Sequence, residues 1–273
     1  MKYTPRLPRT NVNVSPGSPL KDLLLMLTAA TAIMVGIYIA LGFAVDALAP
    51  RISYETELSI GRFMGRHPIL KDAKPAPQDI QELAETIRTQ STDIPFPVQV
   101  SIRQDPQVNA FALPGGRIVL TSGILEAIES QNELAFILGH ELGHIAHRDH
   151  LRALGRGLVL LTLSSLVLES GDSSGANLGK MVVLTELTFT RRQETLADEA
   201  GQDALMTVFG HVTGPEQVFS HFAKLADTNY LTRFALTHPE TQARIRHLKD
   251  RALANGFPSR ALVPLHPEPL PAA

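Results

Sequence analysis

His140-Glu141-Leu142-Gly143-His144 decides how the rest of this chain is read. Around it Leu134, Ile137, Leu138, Leu142 and Ile145 recur at the spacing of one helical face. On a helix, residues four apart lie one turn above the other on the same side. His140 and His144 therefore offer two imidazoles to a single zinc ion, with Glu141 beside them as a general base. Catalytic zinc takes three protein ligands and leaves its fourth position open, so a third ligand must come from elsewhere in the chain.

Two candidates compete for that place. His150 lies ten residues after His140, an offset that works only where a glycine ends the helix and lets the chain turn back. The glycine position is His147 here, and no glycine follows until Gly155. In an unbroken helix His150 would be about 9 Å along the axis from His144, too far to share an ion. Glu194, in Arg191-Arg192-Gln193-Glu194-Thr195-Leu196-Ala197-Asp198, needs no such break and is favoured. Asp198 shares its helix face and can accept the free ring N–H of a ligand histidine, while the small Ala197 allows close helix contact. His147 and His150 are expected to be exposed or to support the ligands, not to bind metal.

Composition narrows the field. The 273 residues carry 25 Lys and Arg against 27 Asp and Glu, which gives no support for nucleic-acid binding. There is no cysteine, so disulfides, thiol catalysis and Cys-bound zinc are excluded. Any metal must be held by His, Asp or Glu. The 23 residues from Leu23 to Val45 hold no charge. At 1.5 Å per residue they reach ~35 Å, enough to cross a hydrocarbon core. The run is longer than the apolar region of a signal peptide, and Pro50 directly follows the cleavage-like Ala47-Leu48-Ala49, so an uncleaved anchor is expected. Lys2, Arg6, Arg9 and Lys21 precede it with no acidic residue before Asp22. This charge bias predicts a single pass through an inner membrane, with the N-terminus cytoplasmic and the bulk of the chain periplasmic.

Along the chain, residues 1–20 read as a disordered tail, 21–49 as the anchor, 50–77 as a Pro-containing linker, 78–254 as the catalytic domain and 255–273 as a Pro-rich unstructured tail. Ile80, Leu83, Ala84 and Ile87 predict a helix from Asp79. Val98, Val100 and Ile102 alternate as a strand, Asn109 to Leu113 and Arg117 to Thr121 are two more strands around the turn Pro114-Gly115-Gly116, and Ser122 is placed to cap a short helix. Leu158 to Leu168 is too short and too interrupted by Thr and Ser to be a span, and reads as a buried or interfacial helix. Gly171 to Gly179 reads as a loop, and helical patterns resume at 180–209, 215–227 and 239–254. The expected class is α+β, mainly helical, with a small sheet beside the motif helix.

Four segments, in order, resemble the membrane-linked gluzincin peptidases, which include HtpX, the CAAX prenyl endopeptidases, the BepA-type periplasmic peptidases and the mitochondrial Oma type. Asn109-Ala110-Phe111-Ala112-Leu113-Pro114-Gly115-Gly116 is similar to the strand and turn before the zinc helix, and His140 to His144 to that helix itself. Phe189 to Asp198 is similar to the family's second motif, and Thr237-His238-Pro239 with Arg244 to its C-terminal His-Pro motif. The likeness covers about residues 78–250 and is nearer to members with one anchor and a soluble domain. It implies one Zn2+ per chain and hydrolysis of peptide bonds in unfolded or misassembled envelope proteins. It places His238 near the metal, as oxyanion donor or as occupant of the open position, and Arg244 beside it. Asn109, Ala110, Phe111, Ala112, Gly115 and Gly116 would form a cleft edge to which an extended substrate adds by main-chain hydrogen bonds. The competing readings are a chaperone whose metal site stays shut and a metal-binding scaffold.

Overall fold

The computed structural model describes residues 18–65, 70, 72–168, 189–226, 238 and 242–265. The loop expected at 171–179, the start of the helix expected at 180–209, and Thr237 and Pro239 lie outside the described residues. The architecture is α+β. Helices α1 (Pro19–Leu48), α2 (Tyr54–Met64) and α3 (Gln78–Ser91) alternate with a first strand, β1 (Ala73–Pro75). Strands β2 (Gln99–Arg103), β3 (Ala110–Leu113) and β4 (Arg117–Thr121) follow, then α4 (Ser122–Ala127), α5 (Gln131–Ala146) and α6 (Asp149–Leu168). Helices α7 (Arg191–Phe209), α8 (Pro215–Ala226) and α9 (Gln242–Asn255) complete the described elements.

The sheet runs β1-β2-β4-β3, with β2 and β4 parallel and the two outer pairings antiparallel. Alternation along each strand gives it two apolar faces. Val100, Ile102, Ala110, Ala112, Ile118 and Leu120 join the main core with α3 and α5. Phe111, Leu113 and Val119 face the other way, onto Met64, Leu70 and Leu154. That second layer corrects the reading of 50–77 as a linker. The segment contains α2, capped by Ser53 (Thr56 N donates to its Oγ at 3.2 Å), and the edge strand β1. Helix α2 lies directly on the Pro114-Gly115-Gly116 turn, and a Cβ on Gly61 would stand 2.3 Å from the Pro114 carbonyl oxygen. Its apolar face is too short to be legible without the sheet beneath it.

Two smaller readings are also corrected. The short helix α4 is capped by Thr121, whose hydroxyl accepts from Ile124 N at 3.3 Å, while Ser122 Oγ turns to the Asp105 backbone. The Pro-rich tail is docked as far as Leu265: Gln131 N donates to Val263 O at 2.8 Å, and Val263 N to Asn132 Oδ1 at 2.8 Å. It supplies partners to the otherwise orphaned start of α5.

Helix α5 is buried along almost its whole length and crosses α7 at a contact made of small residues. A Cβ on Gly139 would stand 2.5 Å from Ala204 Cβ and 2.9 Å from Gly201 Cα. One on Gly143 would stand 2.8 Å from Ala200 Cβ and 3.0 Å from Ala197 Cα. Only backbones lacking side chains at these points can approach so closely. Replacing Gly139 by Val is therefore expected to cost about 1–3 kcal/mol of stability and to weaken metal retention as the helices part. Thermal denaturation with metal analysis checks this, and an unchanged midpoint would contradict the close crossing.

Candidate metal centre

The crossing sets the last two turns of α5 against the first turn of α7, and Thr190 fixes where α7 begins. Its hydroxyl accepts from Gln193 N at 3.3 Å, and Gln193 Oε1 accepts from Thr190 N at 2.9 Å, a complete capping box. Glu194 follows in that first turn and points at the motif helix. His140 Nε2 lies 3.2 Å from His144 Nε2, 3.1 Å from His238 Nδ1 and 3.7 Å from Glu194 Oε2. His144 Nε2 lies 3.6 Å from Glu194 Oε1, and His238 Nδ1 lies 2.9 Å from the same oxygen. All four residues are buried, and their ligating atoms fall within 4.8 Å of one another.

The far sides of the imidazoles show what this cluster is arranged to hold. His140 Nδ1 meets Asp198 Oδ1 at 3.1 Å, and His144 Nδ1 meets Asp149 Oδ2 at 3.0 Å. When each Nδ1–H donates to its carboxylate, both Nε2 lone pairs point at one place. Two such lone pairs 3.2 Å apart repel unless a cation lies between them. Ligands at about 2.0–2.1 Å in a tetrahedron around zinc are roughly 3.3 Å from each other, which matches these spacings. Three imidazoles and one carboxylate are also the donor types zinc accepts. The residues fit a metal ion.

The carboxylates are themselves held. Arg244 Nε and Nη2 donate to Asp198 at 2.7 and 2.6 Å, and Nη1 lies 2.8 Å from Glu194 Oε2. Arg244 thus steadies the ligand set from behind, over the Phe219 ring. Asp149 accepts from Gln193 Nε2 at 2.6 Å and from Arg152 Nη1 at 2.9 Å. Phe189 stacks on His144, with centroids 4.0 Å apart. Glu141 is buried beside the cluster, 3.7 Å from His238 Nε2, and its Oε1 has no hydrogen-bond partner.

Protonation follows this geometry. Burial works against a charged His144, but the hydrogen bonds it donates to Asp149 and Glu194 outweigh it and push the imidazole up to about 10. Burial lowers His140, which stays neutral and can accept from its neighbour. Burial would raise Glu194, but the facing histidines hold it well below the usual carboxylate range. Asp198 is likewise lowered, against burial, by Arg244 and His140. The cluster demands a cation, and without a metal a proton takes that role.

Most of the expected residues converge here: His140, His144, Glu194, Asp198, Glu141, His238 and Arg244. His150 does not. The expectation of an unbroken helix is wrong: α5 ends at Ala146, and Arg148 takes φ 58 without any glycine. The break turns His150 away from the centre, fully buried, with Nε2 2.9 Å from Glu57 Oε1. It is not exposed, but its Nδ1 lies 3.4 Å from the His144 carbonyl oxygen, so it backs the ligand helix without facing the metal, whereas His147 is exposed. The same break delivers Asp149 to His144, a residue that motif reading missed. The rule that each ligand histidine needs an acceptor on its second nitrogen was the signal that could have found it. Asn109, Ala110, Phe111 and Ala112 start and form β3, an edge strand against α5. Gly115 and Gly116, at φ 83 and 72, serve the turn and pack against α2 and Phe96.

A buried cluster of three histidines and one glutamate, two of its rings locked from behind by carboxylates, has the donor set of a metal centre. The chain belongs to peptidase family M48, whose model matches residues 75–252. Metalloprotease LoiP of Escherichia coli (strain K12) is 32% identical over 169 residues, covering 59% of this chain and 65% of that protein. A beta-barrel assembly-enhancing protease of Yersinia pestis is 26% identical over 223 residues, covering 74% of this chain and 45% of its own. The mitochondrial metalloendopeptidase OMA1 of Danio rerio is 29% identical over 213 residues, covering 71% and 44%. The chain thus spans less than two thirds of the length of each of these relatives. Family membership implies a metal cofactor, and His140, His144, Glu194 and His238 are where it fits.

Because His144 carries a proton up to about pH 10 in the metal-free state, metal must displace that proton. Apparent zinc affinity is therefore expected to rise with pH, by up to about tenfold per unit for each proton released. Competition titrations at pH 6, 7 and 8 measure this, and a flat profile would contradict it. Asp149→Asn keeps the shape but removes the charge behind His144, and should weaken zinc binding by about 10–100-fold.

Proposed function

We propose that this protein is a membrane-anchored zinc endopeptidase that cleaves unfolded or misassembled proteins of the cell envelope. The carrying observation is Glu141, a buried carboxylate with one oxygen lacking a hydrogen-bond partner, next to the three-histidine, one-glutamate cluster. A buried carboxylate left bare is costly unless a reacting group completes it.

His140, His144 and Glu194 would hold the ion, with Asp149 and Asp198 fixing the two rings. Zinc held there supplies Lewis-acid polarisation of the scissile carbonyl and a water whose pKa is lowered towards about 7. Glu141 takes the proton from the attacking water and passes it to the leaving amine. His238 occupies the fourth corner of the cluster, so the described arrangement is closed and His238 has to leave that corner to admit substrate. From there its imidazole is within reach of the developing oxyanion. The residues of β3 are buried as described; once uncovered, its outer edge would suit an extended chain, because main-chain pairing reads conformation more than side chains and selects unfolded segments.

The anchor is α1, 30 residues with none buried. Among the described residues it is the one helix long and apolar enough to cross a membrane. In water its exposed Leu23, Leu24, Leu25, Met26 and Leu27 would form an apolar patch well beyond what a soluble surface carries. The basic residues before it favour a cytoplasmic N-terminus and a periplasmic catalytic domain. Two relatives are named as bacterial proteases, and one of these as enhancing beta-barrel assembly. An envelope role follows from that likeness and from the anchor.

A second reading is favoured by one observation. His238 sits 2.9 Å from Glu194 Oε1 and 3.1 Å from His140 Nε2, a position that supports a site held latent by this histidine. The full chain in detergent or nanodiscs, assayed on unfolded casein with bound zinc quantified, separates the two. Wild type is expected to cleave, and Glu141→Gln to keep its zinc and lose about 10²–10⁴-fold in rate. Zinc without cleavage in wild type, with cleavage gained in His238→Ala, would establish latency. Cleavage retained in Glu141→Gln would sink the mechanism.

A further inference from the structure

We infer that the C-terminal half of α6 is a second membrane element, inserted into the near leaflet of the bilayer alongside α1. The inference rests on α1 being the anchor. Three contacts fix how the two helices run. Arg148 Nη1 donates to the Ala49 carbonyl at 3.3 Å and to that of Ile52, and its guanidinium lies 4.5 Å over the Tyr54 ring. Gly155 approaches Val45 so closely that a Cβ would stand 2.6 Å from Val45 Cγ1. Arg156 Nη2 pairs with both Asp46 oxygens, at 2.8 and 2.5 Å. As the chain advances from Arg148 into α6 as far as Arg156, its partners recede from Ile52, just past α1, to Val45 and Asp46 within it. The helices are antiparallel, and α6 runs down into the layer that α1 crosses.

Arg156 and Asp46 mark the boundary. Their side chains are 31% and 35% exposed, the last charges before the apolar stretches of both helices. Beyond Arg156 the twelve residues 157–168 hold no charge, and Glu169 ends the run; this gives ~18 Å of helix, too short to cross the hydrocarbon core of about 30 Å, and the charge at its end confines it to the near leaflet, short of the bilayer centre. Leu158 and Leu160 are 37% and 47% exposed, on a helix whose other side is already covered by α1. The hydroxyls in the stretch do not call for water: Thr162 donates to Leu158 O, Ser164 to Leu161 O and Ser165 to Thr162 O, all at 2.8–2.9 Å. Thr28, within α1, does the same with Leu24 O. Helical backbone and self-bonded hydroxyls are the form in which a chain tolerates lipid. The partly covered positions of α1 also form one stripe, Met34, Gly42, Val45 and Asp46, continuing to the buried Ala49. That stripe reaches to the depth expected for the end of α6.

The consequence for the site is positional. Asp149 opens α6 and holds His144, while Arg156, seven residues later, pairs with the anchor. The metal centre is thereby fixed on the order of 10 Å above the membrane boundary and is not carried on a free tether.

The native chain has no cysteine, so single-cysteine probes test this without further change. An environment-sensitive fluorophore is placed at Leu160→Cys, Ser164→Cys, Phe43→Cys on α1 and Leu253→Cys on α9, in the full chain reconstituted with or without brominated lipid. All four positions are exposed, so the fold should survive. Quenching at 160 and 164 within about twofold of that at 43, larger at 164 than at 160 and absent at 253, is the expected result. Quenching at 43 alone, with 160 and 164 matching 253, overturns the insertion of α6 and leaves the anchor intact. No quenching at 43 removes the anchor reading and this inference with it.

Discussion

The close crossing of α5 and α7 is the contact on which the rest of the molecule depends. Gly139 and Gly143 on one helix meet Ala197, Ala200, Gly201 and Ala204 on the other with no room for a larger side chain. One turn along from that contact, His140 and His144 project from α5 and Glu194 and Asp198 from α7. Helix spacing places each pair, but only the short interaxial distance brings both pairs to a common centre. The remaining architecture supports the crossing: the sheet and α3 pack one side of α5, and the docked tail ties down its first turn.

Around that centre the electrostatics are organised in layers. Three carboxylates, Glu194, Asp198 and Asp149, face the histidines and are themselves contacted by Arg244, Gln193 and Arg152. Buried charge of this kind is tolerable only when every member has partners. The layering leaves two atoms poorly satisfied at the centre, an oxygen of Glu141 and Glu194 Oε2, whose contact to Arg244 is an ion pair without hydrogen-bond alignment. Unsatisfied polar atoms deep in a packed core mark where an ion and a reacting group belong.

Much of the site was legible because it is written in helical spacing. His140 with His144, and Glu194 with Asp198, are four apart, and that interval survives any detail of packing. Sheet and helix order were legible for the same reason, since alternation and periodicity record which face is buried. What failed were readings that depend on local breaks or on contacts distant in sequence. Nothing in the sequence signals that Arg148 adopts a left-handed conformation, so Asp149 was missed and the pairing of His150 with Glu57 was not foreseen. The apolar contacts of α2 are few, Ile60 and Met64 in the second cluster and Leu58 against the main core, with Gly61 against the turn, and they mean little until the sheet is present. The prolines of 258–265 suggested disorder, yet an extended segment without helix potential is what can pair beside Ser130. His238 was legible only through family resemblance, because a lone histidine carries no pattern of its own.

The central claim is that these two helices assemble one metal centre. The most direct test is diffraction from crystals of the zinc-loaded full chain, with an anomalous difference map at the zinc edge. The account predicts one strong peak per chain, about 2.0–2.2 Å from His140 Nε2, His144 Nε2 and a Glu194 oxygen. A peak elsewhere, or one that excludes Glu194 in favour of His150, would contradict it.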